Sequence, residues 1–218
     1  MPTPVRSRPV VALTLLALVA GPLAAAAQTP APATPFADGR LACAPPLGPK
    51  TTHAEVAAAF GKDNVTFQQI YAAEGEKIGA TVVYPKDPAR RLELIWMDQK
   101  KRSGLASVRL SDKTAWIAPN GVKRGMSIAE VEKLNGRAFT LSGFQWDYGG
   151  FVSDWKGGTL DAAVPGGCVV QVRFTLPDDA PEGPAAKVAG DSDFSSADKN
   201  MRAVKPFVGT LGFGYPEP

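Results

Sequence analysis

A single histidine, His53, and two cysteines, Cys43 and Cys168, are all that 218 residues offer in those two types. A His-rich metal site or a Ser-His-Asp triad would have to use His53, and no spacing around it supplies the partners that such chemistry needs. The cysteines lie 125 positions apart and form no C-x-x-C pair, which removes thioredoxin-like redox chemistry. Glycine-rich stretches separate extended segments and do not open a helix after a strand, so no phosphate loop is indicated. No catalytic residue, metal ligand or cofactor is assigned from these types.

Net charge is scarce too. Lys and Arg total 24 against 21 Asp and Glu, a formal net charge of +3. Part of that belongs to the N-terminus, where Arg6 and Arg8 precede an apolar run from Val10 to Val19, closed by Gly21-Pro22. That run is too short to span a bilayer, and Ala24–Ala27 offers an A-x-A cleavage site, so residues 1–27 are predicted to be a secretory signal. Ser7 interrupts the arginines, which excludes a twin-arginine signal. Cleavage leaves residues 28–218 at net +1, with no transmembrane segment and no electrostatic reason to bind nucleic acid. The predicted location is periplasmic or secreted.

In an oxidising compartment two cysteines favour one disulfide, Cys43–Cys168. Closing so long a loop is worth about 4–5 kcal/mol in the chain-entropy model. Leu41-Ala42-Cys43 resembles the end of a lipobox, but Arg40 stands where an aliphatic residue belongs.

Residues 28–50 are rich in Pro and Ala and are predicted to be a linker, with order beginning near Leu41–Cys43. Thr52-His53-Ala54-Glu55 is a capping box, Val56, Ala59 and Phe60 supply an apolar stripe, and Gly61 stops the helix. Two turns of helix are not stable alone, so it must pack on a sheet. Strands are expected at Val65–Tyr71, Ala80–Tyr84, Leu92–Met97 and Ala106–Leu110, separated by polar turns, as an antiparallel meander. Pro119-Asn120-Gly121 then turns the chain into a second unit.

Seventy-five residues after Thr52, Ser127 opens a second capped helix, Gly125-Met126-Ser127-Ile128-Ala129-Glu130-Val131, stopped by Gly136. Ala129, Glu130, Val131 and Gly136 match Ala54, Glu55, Val56 and Gly61 at that offset, which points to duplication. Phe139 and Leu141 are odd-numbered whereas Phe144, Trp146 and Tyr148 are even, so an extended aromatic strand with a bulge near Ser142-Gly143 is predicted. Glycine pairs at 149–150, 157–158 and 166–167 suggest hairpin turns flanking strands Phe151–Lys156 and Thr159–Val164. Cys168 to Leu176 alternates cleanly, with Cys168 on the apolar face. Residues 178–193 form a flexible linker in this scheme. In the last segment, 194–218, Ser195–Asp198 caps a short helix before a strand from Phe207 to Tyr215.

The pattern Gly-Met-Ser-x-x-Glu-Val-x-x-Leu-x-Gly at 125–136, with its degenerate copy at Thr52–Gly61, resembles the tandem-repeat fold of the β-lactamase-inhibitor proteins. It is similar too to the SmpA/OmlA outer-membrane-assembly lipoproteins, which carry one such unit. The resemblance implies an α+β chain with two tandem repeats, 51–120 and 121–177, each a short helix on an antiparallel meander, sharing one continuous sheet. It also implies an exported protein that works by binding another envelope or secreted protein, without catalysis. Oligomeric state is left open.

Phe144, Trp146, Asp147, Tyr148 and Trp155 are the candidate binding residues, because exposed aromatic clusters mark contacts more often than chemistry. The alternative is a carbohydrate-active hydrolase using Asp147 and Asp154 beside aromatic platforms. Lys100-Lys101-Arg102 with Arg90-Arg91 is a basic cluster on successive loops, expected as solvated hairpin tips.

Overall fold

Thr52 and Ser127 each open a helix as their neighbours dictate. In the computed structural model, which describes residues 1–2, 36, 38–72 and 75–216, α1 spans His53–Phe60 and α2 spans Ile128–Asn135. The predicted signal, most of 1–27, and the linker up to residue 35 lie outside the described residues. Both capping boxes are complete: Glu55 takes the Thr52 amide at 2.8 Å, and Glu130 takes the Ser127 amide at 2.7 Å. The stops differ. Gly136 is left-handed, with φ 77° and ψ 0°, and its amide returns to the Glu132 carbonyl at 2.8 Å. Gly61, with φ 87° and ψ 131°, instead swings the chain outward into a short 3-10 turn at Lys62–Asn64.

The first unit is a meander as expected. Strands β1 (Val65–Tyr71), β2 (Lys77–Val83), β3 (Leu92–Asp98) and β4 (Ser103–Leu110) pair antiparallel in sequence order. Opposite Ile95 and Trp96 the register skips Ala106, a bulge that turns both Leu105 and Val108 toward the core. The core faces of these strands bury Val83, Leu92, Leu94, Trp96 and Leu110 against Val56 and Phe60 of α1. Each such side chain contributes about 1.5–3 kcal/mol by leaving water. Ile70, Ala80 and Val82 form a second, smaller cluster on the opposite face.

The second unit does not repeat the first. Strand β5 (Thr140–Ser142) pairs with β6 (Val152–Asp154) and with β8 (Asp193–Ser195) in a separate three-stranded sheet. Strand β7 (Val169–Thr175) joins the main sheet only through β9 (Phe207–Gly214), the last strand of the chain, giving the order β1-β2-β3-β4-β9-β7. The expected single sheet is therefore two, and the expected meander after α2 is absent. Phe144 makes a single parallel bridge to Ala189, and residues 145–150 bend and turn, so the predicted aromatic strand is absent. At Gly143 an added Cβ would lie 2.5 Å from the Gly190 carbonyl and 2.8 Å from the Phe194 ring. Glycine fits there, its N–H bonding the Ser192 carbonyl at 2.8 Å; the Phe144 amide then turns to Val188 and the chain leaves the sheet. Thr159–Val164 is also not a strand; its start is a 3-10 turn, Thr159–Asp161, because the Leu160 amide donates to Asn135 Oδ1 at 3.0 Å.

Residues 178–193, expected as linker, hold α3 (Glu182–Lys187) and bury Ala185 and Val188. The final helix, α4 (Lys199–Ala203), is capped by Asp198, which accepts from the Asn200 and Met201 amides. Its Arg202 and the buried Ser196 hydroxyl both bond Glu132, tying α2 to the C-terminal segment. Cys43 and Cys168 are buried at disulfide distance, Cα to Cα 5.8 Å, as predicted. Among the described residues no helix is long and apolar enough to cross a membrane.

Candidate functional site

The aromatic turn begins where β5 ends. Gly143 N–H donates to the Ser192 carbonyl and Phe144 N–H to Val188, each at 2.8 Å, so the packed segment after α3 supports it from below. Gly150 N–H returns to the Ser142 carbonyl at 3.0 Å and closes the neck. Gly149 N–H reaches the Trp146 carbonyl at 3.0 Å and tightens the tip. Gln145 adopts φ 67°, a left-handed conformation that costs a non-glycine residue about 1–2 kcal/mol and must be held by its surroundings.

Arg173, from the polar face of β7, supplies much of that hold. Its Nε donates to the Gly149 carbonyl at 2.7 Å and its Nη2 to the Asp147 carbonyl at 3.0 Å. The guanidinium also lies 5.0 Å from the centre of the Phe151 ring. A charged donor on two backbone carbonyls makes stronger bonds than neutral pairs, so the turn is pre-shaped. Alternation along the chain puts Arg173 on a polar face but holds no sign of this role, because its partners lie 24 and 26 residues away.

The predicted binding residues divide. Phe144 is 5% exposed and anchors the turn in the core. Trp146 is half-buried, its Nε1 donating to the Gly143 carbonyl at 3.0 Å. Tyr148 is 65% exposed and meets Trp146 edge-on, ring centres 5.5 Å apart. Asp147 is exposed between them. Trp155 does not join the group; it packs on Phe139 at 5.1 Å, and its carbonyl accepts from Asn135. Beside the turn is a cavity of about 320 Å³ lined by Gln145, Trp146, Arg173, Thr175 and Thr210.

Other candidates are engaged by neighbouring groups. Asp154 accepts from the Lys156 amide at 2.6 Å and pairs with its Nζ at 2.8 Å. Those bonds, the side-chain one first, hold its carboxyl below the usual range, which suits an anion and not a proton donor. His53 Nδ1 lies 2.8 Å from Thr81 Oγ1, which also receives the Trp96 indole N–H. Burial, and then Arg102, push the His53 pKa down. In the basic cluster, Arg90, Arg91 and Lys101 pair with Asp87, Glu93 and Asp98, and Arg102 stacks on Phe67. A cavity of about 560 Å³ lies between Pro45–Thr51 and the Glu55–Ala59 side of α1. Glu55 is engaged in the helix cap there, which leaves that cavity without a free acid for chemistry. Among the described residues no group of three or more His, Cys, Asp or Glu is placed to hold a metal ion. No protein-family model matches the chain, and no curated protein or solved structure matches it.

Proposed function

We propose that this is an exported, non-catalytic protein-binding module of the cell envelope, inhibitor-like or assembly-factor-like, whose contact surface is the turn from Phe144 to Gly150. The observation that carries the reading is the exposed Tyr148, stacked edge-on against half-buried Trp146, on a turn that Arg173 holds in shape. Aromatic side chains on a pre-formed support dominate binding energy because little is lost in ordering them. The paired capping boxes and the disulfide-placed cysteines accord with the inhibitor and SmpA/OmlA resemblance and with export. The hydrolase alternative has less support, since Asp154 is committed to Lys156.

Capture from an envelope extract tests the surface. Trp146→Ala/Tyr148→Ala should weaken recovery of a specific partner by about 2 kcal/mol or more, roughly 30-fold, with the melting temperature of the isolated protein near that of the wild type. Equal recovery of every partner by the folded double variant would remove this surface from consideration.

A further inference from the structure

The two edges of the six-stranded sheet are finished differently. At β7, the Phe174 amide bonds the Gly150 carbonyl and Phe151 bridges to Arg173, so the aromatic turn covers that edge. At the other edge, β1 pairs only with β2 among the described residues. Its seven residues, Val65-Thr66-Phe67-Gln68-Gln69-Ile70-Tyr71, include no charge, proline or glycine. Its register with β2 is unbroken from Val65↔Val83 to Tyr71↔Lys77. Edge strands are normally guarded by a lysine, a proline or a bulge that keeps other strands away. β1 has none of these, and Gln68, Gln69 and Tyr71 are exposed.

Two bonds at its ends establish which backbone groups point outward. Tyr84 N–H donates to the Asn64 carbonyl, and Ala72 N–H to the Glu76 carbonyl, both at 2.7 Å. Antiparallel bonding alternates along a strand, so the even-numbered residues between them face β2. Phe67 and Gln69 therefore present both N–H and C=O to the open side, together with the Val65 carbonyl and the Tyr71 amide, while the Val65 amide is already bonded to the Lys62 carbonyl of the 3-10 turn. Arg109 Nη1 already donates to the Tyr71 carbonyl at 2.8 Å, which leaves that oxygen a second lone pair.

We propose that β1 is the interface of a symmetric dimer with a second copy of this chain, the two β1 strands pairing antiparallel about a two-fold axis at Gln68. Centring on Gln68 keeps all seven residues paired. Val65 then lies opposite the partner's Tyr71 and Phe67 opposite the partner's Gln69; the Phe67 pair exchanges two bonds, and the Val65 pair one, from the partner's Tyr71 amide to the Val65 carbonyl. Thr66 with the partner's Ile70, and Gln68 with the partner's Gln68, are the non-bonded pairs, where side chains approach most closely. An uncharged strand of this length is its own complement in this register, whereas an unrelated peptide needs pockets that read alternate side chains. One strand edge is less than the ~1,200–2,000 Å² of stable interfaces, so the dimer is weak and concentration-dependent.

Sedimentation velocity of the purified protein, in a series up to about 1 mM, tests this. The weight-average mass should climb from monomer toward dimer. Gln68→Lys and Gln68→Glu should each associate about fivefold more weakly, because like charges then meet across the axis. An equimolar mixture of the two variants should recover a heterodimer, with circular dichroism confirming that both remain folded. A wild type that stays monomeric overturns the dimer, as does association unchanged in both variants. A mixture that fails to recover overturns the Gln68-centred register. A monomer that instead binds a synthetic Thr/Val heptapeptide assigns the edge to a foreign strand and overturns the second copy.

Discussion

The α1 and α2 units begin alike and end differently, and the divergence is concentrated at the last helical position. In α1 that residue is Phe60, an apolar plug 4% exposed that meets Tyr84 edge-on at 5.9 Å. In α2 it is Asn135, 1% exposed, which donates to the Arg137 and Trp155 carbonyls and accepts from the Leu160 amide. Phe60 packs against a sheet that builds itself from local hairpins. Asn135 instead organises irregular backbone, because buried carbonyls and amides outside a ladder must find side-chain partners. A shared capping motif thus sets where a helix starts and leaves the chain beyond its stop undetermined.

Asn135→Ala should break the comparison most severely. It leaves the Leu160 amide without its partner, while the Trp155 carbonyl keeps the Gly158 amide at 3.1 Å, at a cost of about 1–3 kcal/mol. Urea denaturation should show that loss, and a loss under about 1 kcal/mol would mean that water replaces the amide readily. Ser127→Ala and Thr52→Ala sharpen the likeness. With equivalent capping boxes each should cost about 1 kcal/mol, and a large inequality between them would show that the two caps are not equivalent.

The smallest effect separates the units by pH. His53 sits in the first turn of α1, whereas α2 has Ile128 at the same place. The folded pKa of His53 is lowered, by burial first and by Arg102 second, from an unfolded value near 6.5. Below about 6.5 the unfolded chain takes up a proton that the folded chain does not, so stability falls with acidification until the folded pKa is passed. The midpoint of denaturation should drop less between pH 7.5 and pH 5.5 in His53→Gln than in the wild type. Parallel curves would assign the acid sensitivity to the carboxylates.

The parts legible from the chain share one property: the residues that dictate them are close together. Both capping boxes span four residues, the meander from Val65 to Leu110 obeys alternation and polar turns, and Cys168–Leu176 alternates. The aromatic stretch stands out by its residue types, but its periodicity misleads about its conformation. Period-two aromatics at 144, 146 and 148 imitate a strand, yet after Gly143 the Phe144 amide bonds the Val188 carbonyl, outside the β5–β8 register, and the ladder ends. The candidate residues are separated in the same way. Trp155 is near Trp146 in sequence, and it packs instead on Phe139.

Local signals in the chain were sufficient for where α1, α2 and α4 start, for the first four strands and for the cysteine pair, since caps, hairpins and a lone cysteine couple need few competing contacts, whereas α3, which has no side-chain cap, left no such signal. The split into two sheets, the course of residues 144–164 and the placement of β9 between β4 and β7 rest on partners far away in sequence. Arg173 holding the aromatic turn and Asn135 holding the Leu160 turn show why. Such bonds form only after the chain has brought β7 and α2 beside irregular backbone, and no periodicity records them in advance.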